Sequence, residues 1–155
     1  MEITSKPFGK VTVADDSIIT VPEGLYGFEE FKRYVMLSNP DERPFSWLQA
    51  VDNPRLAMVV VNPGEVFGAR FAPKPAAADL LALEVQSPAN LVFCCIVVVP
   101  EDPKLMTVNL KGPVALNMAT RRARQIILLN EEYTVRHLLL KEMEAARLAA
   151  GQEAR

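Results

Sequence analysis

The sequence predicts a mainly β protein: a compact, antiparallel, β-barrel-like single domain with one short internal helix and a C-terminal helix. Three observations carry this. About nine or ten short runs of β-favouring residues are punctuated by turn chemistry roughly every 8–12 residues, the spacing of a sandwich or barrel rather than of βαβ units. Two of these runs, Leu56–Val61 and Leu91–Val99, are almost wholly apolar, as strands buried on both faces are. Only two stretches read as helix: Ala76–Leu83, entered through Pro73 and Pro75, and the run from Asn130 to Ala150, which contains no Gly or Pro.

In order along the chain, Phe8–Val13 alternates apolar and polar residues, and Ala14-Asp15-Asp16-Ser17 is a turn leading to a returning strand at Ile18–Val21. Pro22–Phe28 interrupts any ladder, and Gly24 and Gly27 between aromatics suggest backbone at positive φ with rings packed over it. Further strands are expected at Tyr34–Ser38, Phe45–Val51 and Leu56–Val61, and a weak one at Val66–Phe71. After the internal helix come Leu91–Val99, a strand pair in Leu105–Asn117 broken at Lys111-Gly112-Pro113, and a last strand at Gln125–Leu129. Asn130 is placed to cap the C-terminal helix, with Glu131 and Glu132 in its first turn and Val135, Leu138, Leu139 and Met143 at helical spacing. The expected division is a domain over 1–144 and a frayed, charged tail over 145–155.

Composition narrows the function. The chain has 155 residues, 50% of them hydrophobic and 23% charged, with a net charge of −2. That supports a folded core and offers no overall basic field for nucleic acid. The first fifteen residues lack a continuous apolar core, and no run reaches the roughly 18 apolar residues of a membrane span. A cytoplasmic protein without membrane or direct nucleic-acid contacts is therefore expected. Cys94 and Cys95 are adjacent; side chains on neighbouring strand residues point apart, so two free buried thiols are expected. No cofactor, metal or catalytic residue is expected. His137 is the only histidine and reads as a surface or partly packed residue, the serines have no nucleophile-elbow setting, and the paired acids lie in turns or at helix starts. Arg121, Arg122 and Arg124 read as a solvated connector. What remains is a binding protein whose surface would combine polar strand residues with loop aromatics.

Several stretches then carry a resemblance: Gly24-Leu25-Tyr26-Gly27-Phe28-Glu29, Pro44-Phe45-Ser46-Trp47-Leu48-Gln49, Val99-Pro100-Glu101-Asp102, Thr107-Val108-Asn109-Leu110-Lys111-Gly112-Pro113, Asn117, and Gln125-Ile126-Ile127-Leu128 followed by Tyr133. Collinear from about Phe8 to His137, they resemble the flagellar assembly factor FliW family. The resemblance implies a β-barrel-like cytoplasmic protein without enzymatic activity. It implies binding of newly made flagellin near its terminal helical region, and binding of the translational repressor CsrA away from its RNA-contacting surface. The two partners would exchange, coupling flagellin level to its translation. A flagellin export chaperone without CsrA antagonism is the alternative, and a monomer is expected when neither partner is bound.

Two departures stand out. A glycine commonly found two residues before the late glutamine is Ala123 here, which would be strained if that turn required positive φ. An often acidic C-terminal extension is diluted here, with Glu142, Glu144 and Glu153 interspersed with Lys141, Arg147 and Arg155. The residues expected to contact partners are Trp47, Gln49, Asn109 and Tyr133. Trp47 and Tyr133 alternatively belong to the core, and Gln49 and Asn109 alternatively bond backbone at sheet corners. Gly24, Gly27, Phe28, Pro113 and Gln125 are expected to shape the motif structure.

Overall fold

One strand, β7 (Leu91–Val98), organises the sheet, and its sequence explains why. Leu91, Phe93, Cys95 and Val97 point to one side and are buried; Cys94 and Ile96 point to the other and are partly buried, with Val92 and Val98 emerging at its two ends. A strand covered on both faces needs apolar residues at both parities. In the computed structural model, which describes residues 1–153, β7 is the hub of a closed barrel. The barrel strands are β3 (Ile19–Thr20), β4 (Arg33–Leu37), β5 (Ser46–Ala50), β6 (Ala57–Val61), β7, β9 (Val114–Asn117) and β10 (Arg122–Gln125), with β9 returning to β7 to close it. All pairings are antiparallel except the seam between β10 and β3, where Arg122 faces Thr20 in parallel. Two short strands, β8 (Thr107–Val108) and β11 (His137–Leu138), extend the sheet from β7 beyond the barrel.

The interior is filled by Ile19, Val21, Leu25, Tyr34, Leu48, Ala50, Val60, Val114, Leu116 and Ala123. Outside, a hairpin of β1 (Glu2–Ser5) and β2 (Gly9–Thr12) packs Ile3 and Val13 against Val35 and Leu37 of β4. The opposite parity of β7 is covered by helix α1 (Pro63–Phe67) and helix α3 (Leu139–Glu153), through Phe67 and Leu139. Helix α2 (Ala77–Ala82) lies between α1 and β7 in sequence. None of the described helices is long and apolar enough to cross a membrane.

Five local expectations are corrected. The strand at Gly9–Thr12 pairs with Glu2–Ser5, not with Ile19–Thr20, which instead joins the barrel between β4 and β10. Val66–Phe71 is not a strand. Asn62 caps Gly64 and Glu65 N–H with its side-chain oxygen, at 2.9 and 3.3 Å, and Pro63 occupies the first helical position, so a second internal helix forms. The last barrel strand covers Arg122–Gln125 rather than Gln125–Leu129. Asn130 does not cap a helix: its amide bridges Lys74 N–H and Ala72 O, both at 2.8 Å, and the helix begins only at Leu139. The stretch expected to fray from Ala145 is helical as far as Glu153, and residues 154–155 of that expected tail lie outside the described residues. Ala123 is unstrained, because it sits in β10; the positive φ falls on Arg121, at 58°.

Two expected binding residues are interior. Gln49 is fully buried, and its Nε2 donates to the carbonyls of Ala50 (3.0 Å), Asn53 (3.0 Å) and Leu56 (3.2 Å), locking the β5–β6 hairpin. Tyr133 is buried and stacked on Phe71; its hydroxyl accepts Ala72 N–H at 3.0 Å and donates to Arg70 O at 3.2 Å. Both serve the corner or core roles that were the alternatives to partner contact.

Gln49→Ala should destabilise the protein by about 2 kcal/mol or more, since buried carbonyls lose their donor and a void opens; urea unfolding measures it. Alkaline pH should also weaken the fold. Burial pushes the Cys94 thiol from its ordinary 9.0 up to about 12, and the Tyr34 phenol from 10.0 up to about 12. The unfolded chain therefore loses these protons first. Stability is full below about pH 9 and falls as pH rises toward 12, and thermal melting across that range should show Cys94→Ala blunting the early part of the decline.

Candidate functional site at one mouth of the barrel

Strands β8 and β9 are successive parts of one path along the same edge of β7. Val108 faces Val97 and Val114 faces Cys94, so three steps along β7 are matched by six along the other chain. The excess of three residues must leave the ladder, and the residues Asn109–Pro113 do so as a bulge. Its backbone groups need new partners. Asn109 N–H donates to Ile96 O (3.0 Å), and Asn109 Oδ1 accepts Gly112 N–H (2.8 Å). Gly112 O accepts from Gln125 Nε2 at 3.0 Å, and Ile126 N–H donates to Pro113 O at 3.0 Å. A Cβ on Gly112 would stand 3.2 Å from the Asn109 amide, which would have to give by a few tenths of an ångström to admit it.

Gln125 also joins this bulge to the loop after β3. Its Oε1 accepts Tyr26 N–H at 3.0 Å, across 99 residues of sequence. That loop is folded tightly on itself: Gly24 has φ +71°, and a Cβ there would meet Glu29 Cα at 2.4 Å. Phe28 N–H returns to Leu25 O at 2.8 Å, and Glu29 Oε1 accepts Gly27 N–H at 3.0 Å. The Gly27 N–H, followed by Glu29's own, holds the Glu29 carboxyl below the usual range, so it stays ionised as a loop anchor.

These three segments meet at one mouth of the barrel and leave it apolar. Leu25, Met58 and Ile96 form the floor of a concavity of about 480 Å³, with Asn109, Gly112 and Gln125 as its polar side. Its rim is unusually exposed: Val98 is 63% exposed, Tyr26 61%, Val135 56%, Ile127 47% and Phe28 41%. Contiguous apolar side chains left in water on a folded chain mark a protein-binding surface far better than scattered ones do. Among the described residues no group of His, Cys, Asp or Glu is arranged to hold a metal ion.

Of the residues expected to contact partners, the structure places Asn109 here, half-buried. Gln49 and Tyr133 lie in the interior, as described. Trp47 points outward from β5, edge-on to Phe8 (6.4 Å between rings), and lines a separate groove with Arg43, Phe45, Val59, Val99 and Met106. The residues expected to shape the motifs converge on the mouth: Gly24, Gly27 and Phe28 through the loop, Pro113 through the bulge, Gln125 between them. Sequence reasoning missed Met58, Ile96, Val98, Ile127 and Val135. The first four lie in ordinary apolar runs and Val135 stands alone between Thr134 and Arg136, whereas Tyr26 and Phe28, loop aromatics beside glycines, carry a readable signal.

Gly24→Ala should cost more than about 1 kcal/mol from φ alone, with the Glu29 clash added. Asn109→Ala should cost about 1–2 kcal/mol by stripping Gly112 N–H of its acceptor. Chemical denaturation of both variants checks these values, and Gln125→Ala should loosen the Tyr26 loop, read as faster amide exchange there.

The family model for the FliW protein matches residues 2–139. The flagellar assembly factor FliW of Natranaerobius thermophilus is 41% identical over 143 residues, 92% of this chain and 94% of its own length. That of Leptospira interrogans is 37% identical over 142 residues, 91% of this chain and 94% of its own. A crystal structure of the flagellar assembly factor FliW superposes with a TM-score of 0.80 at 28% identity, covering 90% of this chain and 96% of the other. The fold, the matched residues and these relatives agree: this chain belongs to the FliW family of flagellar assembly factors.

Proposed function

We propose that this protein is a cytoplasmic, non-enzymatic regulator that binds flagellin and allosterically antagonises the translational repressor CsrA by partner exchange. The observation that carries the reading is the exposed apolar mouth, framed by the same segments that carry the family resemblance. The terminal region of flagellin is helical, and an amphipathic helix buries its apolar face in a groove through residues at i, i+3, i+4 and i+7. Tyr26, Phe28, Val98, Ile127 and Val135 supply the complementary surface, and the Asn109–Gln125 side supplies polar contacts. CsrA, held away from its RNA-contacting surface, is excluded while flagellin occupies the protein. Regulation then follows from mass action: a partner present at 100 times its dissociation constant lowers the apparent affinity for its competitor about 100-fold. When flagellin leaves by export, the protein captures CsrA and translation of flagellin resumes.

Titration of the purified protein with flagellin and with CsrA, separately and in competition, tests this. The expected result is mutually exclusive binding, with Tyr26→Ala and Ile127→Asp each weakening flagellin binding about tenfold or more at unchanged melting temperature. A stable ternary complex would overturn the exchange. Flagellin binding without any effect of the protein on CsrA–RNA complexes in a gel shift would reduce it to an export chaperone.

A further inference from the structure

His137 is absorbed by none of the roles above, yet its surroundings are specific. It lies on β11 opposite Val108, with its side chain 17% exposed. Its Nε2 accepts Thr134 N–H at 2.8 Å, so that nitrogen carries the lone pair and the ring proton is on Nδ1. Nδ1 faces Glu142 Oε1 at 3.3 Å, and the Tyr133 ring meets the imidazole edge-on at 6.2 Å. The turn held in this way leads into the mouth. Thr134 O accepts Lys111 N–H of the bulge at 3.2 Å, and the next residue is Val135, on the rim.

We propose that His137 is a positioning residue for the mouth: as a neutral imidazole it fixes the Thr134–Val135 wall, and protonation releases that wall and weakens partner binding. The inference rests on the reading of the mouth as the flagellin-binding surface. A proton added at Nε2 sets an N–H against the Thr134 N–H, two donors without an acceptor, and the bond is lost. The groups facing the ring decide what moves. Glu142, from α3, keeps its contact with the imidazolium, and Arg70 Nη2 stands 3.8 Å from the other Glu142 oxygen. Glu132 lines the same cleft, while the Lys111 ammonium is engaged by Asn130 O at 2.6 Å. Arg136 and Lys141 are exposed. The ring therefore stays on Glu142, and the exposed Thr134 turn, left with only its carbonyl bond from Lys111 N–H, shifts with Val135.

The test has one arm without a partner. Because His137 is the only histidine, its ring signals are unambiguous in NMR spectra taken from about pH 8.5 down to 5.5. The Thr134 and Val135 amides should titrate with the ring; amides that stay fixed while the ring titrates overturn the proposal, and this arm needs no variant. In the second arm, flagellin affinity should fall as the pH is lowered from 8, toward a limit of about fivefold with the ring fully protonated, the loss of one modest hydrogen bond. His137→Gln, whose amide oxygen accepts at any pH, should bind with a flat profile. Flagellin binding equally sensitive to pH in His137→Gln and in the natural protein overturns the proposal. Absence of flagellin binding at every pH is instead a failure of the functional reading, and the amide titration then decides the His137 coupling by itself.

Discussion

The structure depends on how one edge of β7 is shared. Two strands use that edge in turn, and they bring three residues too many for an unbroken ladder. A sheet tolerates such an excess only if the displaced backbone groups find partners elsewhere, because a buried unpaired N–H or C=O costs about as much as a lost hydrogen bond. The amides of Asn109 and Gln125 provide those partners at Gly112. With the bulge satisfied, β9 can return to β7 and close the barrel.

Barrel closure has a second consequence. It abolishes free edges along most of the sheet and buries apolar residues on both faces of β7, one face inside the barrel and one beneath α1 and α3. The apolar residues left over collect where the barrel ends. Met58 and Ile96 continue the inward faces of β6 and β7 to the mouth, and the Gly24–Phe28 loop, tied down by Gln125, adds aromatics at the rim instead of covering the opening. The same side-chain amide that stabilises the bulge therefore sets the shape of the surface offered to a partner. Stability and recognition share residues here, which is why the motif segments, far apart in sequence, meet at one place.

Much of this was readable from residues alone where the signal is local. The two-sided apolar strand Leu91–Val99 and the helix after Pro75 are as expected, since periodicity, β-branched content and proline position act within a few residues. Where the structure departs from local pattern, the causes are equally definite. Gly9–Thr12 alternates as a hairpin strand does, but alternation does not name the partner, which is the four-residue strand Glu2–Ser5 upstream rather than the next strand downstream. Asn130 has the composition of a helix cap, yet its amide is drawn 56 residues away to Lys74. Gln49 and Tyr133 looked available for partner contacts, and both are consumed by carbonyls that need a donor or amides that need an acceptor.

The sequence by itself determined the class of fold and the absence of any recognisable catalytic motif. It also pointed to the segments that matter, because strand alternation, turn residues and collinear motifs are encoded in short stretches. Only the tertiary structure decided what each polar side chain does. A glutamine in a strand can equally lock a hairpin, as Gln49 does, or bridge a loop to a bulge, as Gln125 does. The difference lies in which distant backbone groups the closed barrel leaves unpaired beside it, and that is a property of the assembled sheet rather than of any local run of residues.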